Sequence, residues 1–405
     1  MIIGWRKSAI AGLSVCAALV LLLVPLELRG NPANAVPTKF VATEGTHFVL
    51  DGKPLYVAGV NNHYLTFGSP SEVLRVLDDA AAMKSNVVRT FLQPVIGSPQ
   101  GDNPKTIWDW RQRAYSSALG VHGNYMVYWD TSRNAMGINE GPNGLQKLDF
   151  LVKEARNRDL KLIIALVDFW AWTGGAQQMR AWYGSEDKFT FFFQDPRTKE
   201  DYKTLVRTIL LRRNTLTGVL YKDDPTIFAW DLINEGNAIP QELRLSWTRE
   251  MSAFVKSIDS NHMVTSGHAN VDTLVDIDIP TIDFATWHGY PLYYKWTVDD
   301  MDKRITQYCG IAARVGKPVI LEEFGYARSN PDVADAYRQW ITSIYRNPDC
   351  AGWVVWRLVS LQDDLRFPRD GLEQFDIHRD VGPLWPVLRD GAQQMLQKGE
   401  ANEKK

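Results

Sequence analysis

The chain has no long basic run, and 45 Lys and Arg against 47 Asp and Glu leave a formal net charge of −2. That balance excludes a nucleic-acid partner, which needs a concentration of positive charge. No G-x-G-x-x-G opens any helical stretch, which counts against a dinucleotide fold. There is no internal repeat and no low-complexity linker, so the 405 residues read as one large domain preceded by a short leader. Cysteine is scarce, with Cys16, Cys309 and Cys350 making up the whole set.

The leader is residues 1–35. Arg6 and Lys7 form a basic start, residues 8–26 are nearly all apolar, and Ala33-Asn34-Ala35 is a small-residue cleavage pattern. This reads as a signal peptide removed after Ala35, giving a secreted or periplasmic protein. The alternative is an uncleaved membrane anchor, because the apolar stretch approaches spanning length. Cys16 lies inside the apolar run behind Val15, a poor context for lipidation. Cys309 and Cys350 remain after cleavage, and an exported pair can join. Cys309 falls in an expected helix and Cys350 ahead of an expected strand, and whether they meet stays open.

What the chain has in quantity is aromatic residues: 15 Trp, 15 Tyr and 16 Phe. Indole faces stack on sugar rings, but a large aromatic core explains the same count. From residue 40 a small hairpin turned by Asp51-Gly52 opens the fold. Apolar runs of strand length then follow at 56–60, 87–92, 160–167, 227–233, 263–266, 284–287, 319–321 and 353–356. Helical patterns separate them at 71–84, 144–158, 199–213, 241–259, 299–315 and 331–346, and a last one at 385–397 closes the chain. Near-continuous apolar strands alternating with amphipathic helices predict a parallel sheet with right-handed crossovers. Eight of them favour a closed (β/α)8 barrel over 36–399, an α/β fold of the TIM type, with residues 400–405 frayed.

A barrel places its site at the C-terminal ends of its strands. Found there are Asn61, Asn62 and His63 after strand 1, Arg89 at strand 2, and Asp168 after strand 3. Asn234 and Glu235 end strand 4, His288 and Tyr290 follow strand 6, Glu323 ends strand 7, and Trp356 ends strand 8. Carboxylates at the ends of strands 4 and 7 face each other across the mouth. Two carboxylates roughly 5 to 5.5 Å apart are what retaining glycoside hydrolysis needs. On this reading Arg89 and Tyr290 stabilise an ionised Glu323, and like-charge repulsion raises the pKa of Glu235. Asn234 bonds a sugar 2-hydroxyl, His288 orients Glu235 or a sugar hydroxyl, and Trp356 floors the site. Arg89 paired to a buried acid, a structural His288 and a core Trp356 are the plainer readings of the same residues. Glu322 neighbours Glu323, and side-chain alternation admits only one of them to the mouth.

These motifs resemble glycoside hydrolase family 5, closest to its endo-β-1,4-mannanase branch. The likeness runs from about Phe40 to about Ile377. It rests on Gly59-Val-Asn-Asn62, Asn86-Val-Val-Arg-Thr90, Trp230-Asp-Leu-Ile-Asn-Glu235, Ile282-Asp-Phe-Ala-Thr-Trp-His288, Lys317-Pro-Val-Ile-Leu-Glu-Glu-Phe-Gly325 and Gly352-Trp-Val-Val-Trp356. The resemblance implies a (β/α)8 barrel, retention, no metal and no other cofactor. It assigns Glu235 as acid/base and, by its place before an aromatic-Gly pair, Glu323 rather than Glu322 as nucleophile. Arg89, Asn234, His288, Tyr290, Trp356, Asn62, Asp168 and Trp170 are the expected substrate-binding set.

Three positions depart from the family pattern. Gly236 stands where Pro is usual, Phe91 where Trp is usual, and Asp168-Phe169-Trp170 where Asn-Asn-Trp is frequent. The last two lie near the sugar next to the cleavage point. Residues 93–140 are also far longer than an ordinary strand-to-helix loop and carry Trp108, Trp110, Tyr115, Tyr125, Tyr128 and Trp129. They form either a wall over the cleft, which would favour exo action, or a packed excursion with its own small core.

The expected function is a secreted, monomeric retaining β-glycoside hydrolase acting on β-1,4-linked mannan-type chains, touching a membrane only if its leader stays on. A β-glucan-directed or exo-acting enzyme of the same family is the alternative. A non-catalytic carbohydrate-binding protein would lack one of the two Glu, and both are present. A metal-dependent hydrolase would need clustered ligands, and only His63 and His288 sit well for it.

Overall fold

Eight parallel strands pair in the cyclic order 5-4-3-2-1-8-7-6, numbered here along the chain. They are Val57–Asn61, Val87–Phe91, Lys161–Ala165, Ile227–Asp231, Met263–Thr265, Ala285–Gly289, Val319–Phe324 and Gly352–Val355. The computed structural model describes residues 40–101, 105–107 and 123–403. The expected leader, its cleavage site and Cys16 lie outside them, as do Trp108, Trp110 and Tyr115. Among the described residues no helix is long and apolar enough to cross a membrane.

All eight strands fall at the apolar runs read from the sequence, because each run is buried on both faces by the barrel interior and the outer helices. Strands 5 and 6 close the circle without a regular ladder. Asp283 N donates to Val264 O at 2.9 Å, Val264 N donates to Asp283 Oδ2 at 2.6 Å, and His288 N donates to Ala269 O at 2.8 Å. The helices start and stop where local chemistry dictates. Ser69 and Glu72 form a reciprocal capping box on Pro70–Ala82, and Thr297 and Asp300 do the same for Val298–Val315. Gly316, at φ +74°, ends the latter helix in the left-handed conformation that glycine adopts freely.

The opening element is a three-stranded sheet, not a simple hairpin: Ala42–Glu44, His47–Leu50 and Lys53–Leu55. Asp51 and Gly52, both at positive φ, turn the second strand into the third. Its Phe48 packs edge-on against Phe228 and Phe284, ring centres 4.9 and 5.2 Å away. With Val41 it joins an apolar cluster of Val57, Ile163, Met263 and Ile320 at the N-terminal ends of the strands. The barrel is thereby plugged at one end, and its polar groups gather at the other.

The long excursion after strand 2 builds its own hairpin, Val127–Asp130 against Ala135–Ile138. Buried Trp129 lies 5.8 Å from the ring of Trp182, whose indole donates to Ile96 O at 3.1 Å. The described part of this segment therefore packs onto the helix Gly175–Trp182, and Trp129 belongs to that core. The last helix runs Leu384–Glu403, past the expected end at 397 and through most of the tail expected to fray. Lys398 Nζ donates to the carbonyls of Ile344, Asn347 and Cys350, and Asn402 donates to the Tyr56 hydroxyl at 2.9 Å. Those contacts fix a turn that its charged sequence alone would not hold.

Cys309 and Cys350 form a disulfide, Cα atoms 5.0 Å apart, across 41 residues of sequence. It ties the helix Val298–Val315 to the entry of strand 8 and answers the question the sequence left open.

Candidate active site

Arg89 occupies the centre of the barrel mouth and is fully buried. Its Nη1 donates to Glu323 Oε1 at 2.6 Å and to Asn61 Oδ1 at 3.2 Å. Its Nε and Nη2 reach Asp231 Oδ2 at 3.0 and 2.6 Å, and Nη2 also reaches Asn234 Oδ1 at 3.0 Å. A planar guanidinium suits this work because its donors are fixed in one fork. Strand 5 must turn away sharply to leave room for Asp231. Gly267, at φ +72°, does this, and a Cβ there would lie 1.7 Å from Asp231 Oδ1.

Glu323 ends strand 7 with its other oxygen accepting from the Tyr290 hydroxyl at 2.8 Å. Glu235 lies in the turn that follows strand 4, past Asp231, at φ +56°, a left-handed backbone that a Glu rarely adopts and that clusters at functional sites. Its Oε1 lies 2.7 Å from His288 Nδ1, and its Oε2 accepts from the Trp170 indole at 2.6 Å. A carboxylate oxygen of Glu235, one of Glu323 and a ring nitrogen of His288 lie within 4.8 Å of one another. Among the described residues these three are the group near enough together to hold a metal ion. Their geometry also suits proton work, since each carboxylate already accepts hydrogen bonds.

Strand alternation does not separate Glu322 from Glu323 as expected. The register between strands 6 and 7 shifts at Trp287/His288, pairing Trp287 with Leu321 but His288 with Glu323. The extra residue is Glu322, and such an irregularity frees it from strict alternation. Fully buried, it reaches Arg89 Nε and His288 Nε2, each at 3.4 Å. Glu322 thus supports the two cations from below, and Glu323 faces the mouth.

Burial would strip the proton from His288, but the charges of Glu323, Glu235 and Glu322 outweigh it and push the ring up to about 10. That imidazolium changes the expectation for Glu235. Burial pushes its carboxyl up, yet the hydrogen bond and charge of His288, with Trp170 and Arg89, hold it below the usual range. The raised pKa expected from like-charge repulsion is not found, because the proton rests on His288. Burial, helped by the charge of Glu235, leaves the Glu323 carboxyl above its ordinary range, against the pull of His288, Arg89 and the Tyr290 hydroxyl. Burial also raises Asp168 and Asp231, each to about 7.

The other expected residues sort by what they touch. Asn234 donates to Asp168 Oδ1 at 2.9 Å and accepts from Arg89, so it is set between them. Trp356 follows strand 8, half-buried, with its ring centre 6.0 Å from Phe91 and 5.9 Å from His63. Trp353 is buried core. Two expectations need correction. Asn62 is not positioned to bind substrate: buried, it donates to Leu358 O at 2.9 Å and accepts from Tyr64 N at 3.0 Å. It braces the chain, and Asn61 is the asparagine that enters the charged network. Arg89 and His288 are sealed from the cleft and so leave the substrate-binding set, but they hold Glu323 and Glu235 as their first expected roles had it.

The sequence reading missed Asp231, although an acid inside the run Trp230–Ile233 was a usable signal. It also passed over two exposed aromatics. Trp172 is 58% exposed two residues beyond Trp170. Tyr293, 55% exposed, lies 5.5 Å from Tyr290 and 6.0 Å from Phe375, ring centre to ring centre.

Comparison with known proteins agrees with this geometry. The family model described as GH family 5 beta-mannosidase-like matches residues 125–347. Putative mannan endo-1,4-beta-mannosidase 9 of Oryza sativa subsp. japonica is 30% identical over 386 residues, covering 82% of this chain and 84% of the relative. Mannan endo-1,4-beta-mannosidase 1 of the same plant is 32% identical over 387 residues, covering 82% and 81%. The crystal structure of the endo-1,4-beta-mannanase of Rhizomucor miehei superposes with a TM-score of 0.74 at 28% identity, over 89% of this chain and 100% of that one. The endo-beta-1,4-mannanase of Thermotoga petrophila gives a TM-score of 0.70 at 26% identity, over 85% and 78%. With its eight-stranded barrel and its carboxylates on strands 4 and 7, the chain belongs to glycoside hydrolase family 5 and is a glycosyl hydrolase.

Proposed function

We propose that this enzyme cleaves β-1,4-linked mannan-type chains with retention, with Glu323 as nucleophile and Glu235 as acid and base. The observation that carries the reading is the approach of the two carboxylates, whose nearest oxygens lie within 4.8 Å. An inverting enzyme keeps its carboxyl groups roughly 6.5 to 9.5 Å apart to admit a water between them. Glu323, gripped by Arg89 and Tyr290, attacks the anomeric carbon and forms an ester. Glu235 gives a proton to the departing glycosidic oxygen as that bond breaks. In the second step Glu235 takes a proton from water, the water attacks the same carbon, and the Glu323 carboxylate is released. Asn234 and Asp168 offer polar contacts on the strand 3 and 4 side, and Trp356 offers a ring for stacking.

The mannan preference rests on the relatives, which are named for that activity. The proposal also takes the enzyme to be exported and monomeric. The Cys309–Cys350 disulfide supports export, since such bonds persist in oxidising compartments. The test is product analysis on mannan, glucomannan, cellulose and xylan, with Glu235→Ala and Glu323→Ala as controls. Each variant is expected to lose several orders of magnitude in rate. Azide should rescue Glu323→Ala and give a glycosyl azide of inverted configuration. Release of single sugars alone would reject endo cleavage, and near-normal turnover by either variant would sink the assignment.

A further inference from the structure

We propose that Trp170 is a substrate-displaced cap on Glu235: its indole N–H occupies the oxygen that must hand over the proton, and the entering sugar chain pushes it aside. This rests on the reading of Glu235 as acid/base given above. The two oxygens of that carboxylate face different partners. Oε1 faces His288 Nδ1 at 2.7 Å, and His288 is fully buried, so no glycosidic oxygen reaches Oε1 from that side. Oε2 is the route that remains, and it accepts from Trp170 Nε1 at 2.6 Å. A donor held there favours the ionised carboxylate and stands in the approach that a leaving oxygen would take to Oε2.

The cap is built to move at its side chain and to stay still at its backbone. Trp170 N donates to Asp168 Oδ1 at 3.3 Å, and Phe169 N donates to Asn234 O at 3.0 Å, which anchors the turn to strand 4. The indole itself is 39% exposed and touches Phe169 edge-on at 5.0 Å between ring centres. Rotation about the side-chain bonds therefore clears Oε2 without disturbing the turn.

Charge sets the consequence. A hydrogen bond to a carboxylate stabilises its ionised form. Facing Glu235 are the cations His288 and Arg89, the acids Glu323 and Asp168, and the phenols Tyr290, Tyr293 and Tyr294. Sugar binding leaves these groups in place and removes one donor, the indole. Losing it shifts Glu235 toward its protonated form at the moment the leaving group arrives. Trp170 is thus a positioning residue that adds to the hold of His288 on the ionised acid and gives up its share when substrate enters.

The experiment compares the pH dependence of kcat/KM, which reports the free enzyme, with that of kcat, which reports the complex. The substrate is a nitrophenyl β-mannan oligosaccharide, and the variant is Trp170→Phe, which keeps a ring and removes the N–H. In the wild type the alkaline limb of kcat/KM should lie below that of kcat. In Trp170→Phe the kcat/KM limb should rise by about one pH unit while the kcat limb stays in place. An unmoved kcat/KM limb overturns the cap. Both limbs moving together also overturns it, because the indole would then remain on Glu235 in the complex. Glu235→Gln, assayed for its residual turnover of the same nitrophenyl oligosaccharide, tests the acid assignment separately from the cap. If the limb survives in Glu235→Gln, the acid assignment fails and the cap falls with it. If it disappears there yet stays put in Trp170→Phe, the cap alone fails.

Discussion

Arg89 holds Glu323 Oε1 at 2.6 Å while three further acceptors, on Asp231, Asn61 and Asn234, occupy the rest of its fork. The nucleophile is therefore aimed by a side chain that is itself aimed by strands 1 and 4. Arg89→Lys keeps a charge but cannot reach these acceptors with one ammonium. Removing one partner of a buried pair costs roughly 3 to 5 kcal/mol. The loss of a fixed donor at a reacting oxygen typically costs about 10² to 10³ in rate. Arg89→Lys should lower both kcat and the unfolding midpoint, and a kcat within about tenfold of wild type would contradict this role.

The position of Arg89 and the strand-end groups Asn61, Asn234 and Glu323 around it were legible in the sequence, and the parts of Asp231 and Glu322 in its network were not. Apolar runs are local patterns, so the eight strands and the acids that end strands 4 and 7 could be read directly. Which asparagine of Asn61-Asn62 turns inward depends on register against strands 2 and 8, and that is set by distant chain. Glu322 joins the network through a register shift between strands 6 and 7, which no alternation rule anticipates. The Cys309–Cys350 bond likewise depends on how a helix lies against the strand that comes after it. Like-charge repulsion, the argument used for Glu235, was sound in itself. It was outweighed because His288 sits nearer to Glu235 and holds the proton.

That proton gives stability a pH signature. The folded pKa of His288 is raised to about 10 from an ordinary value of 6.5. A raised group contributes its full stability below its unfolded pKa and loses it as pH rises through the folded one. The melting temperature should fall between about pH 7 and 10 in the wild type. In His288→Gln the overall melting temperature should be lower and its decline over that interval shallower. Equal slopes for the two proteins, measured by calorimetry, would show that His288 does not carry the effect.

The disulfide acts elsewhere. Cys309 and Cys350 are buried and lie on the helix side of the barrel, so the bond constrains the chain without touching the site. Closing a loop of this length removes unfolded-state entropy equivalent to about 4 kcal/mol. Cys350→Ser should lower the denaturation midpoint accordingly and leave kcat near wild type. A variant that melts as the wild type does would mean the bond adds nothing, and a collapse of kcat would mean it shapes the site.

Asp370 holds the far side of the cleft. Arg357, directly after Trp356, donates to its two oxygens at 2.7 and 2.8 Å and to Asp376 at 2.8 Å. Burial pushes the Asp370 carboxyl up, but hydrogen bonds from His63 and Arg357 hold it far below the carboxylate range. A depressed pKa contributes stability above the unfolded value, near 3.8, and loses it as pH falls further. Asp370→Asn removes one charge from a buried Arg357 and should cost about 3 kcal/mol at neutral pH. It should also flatten the loss of stability below about pH 4. Because the same Arg357 fixes the chain beside Trp356, the variant should raise KM more than it lowers kcat. The reverse pattern would place Asp370 in the chemistry and not in the support of the Trp356 ring.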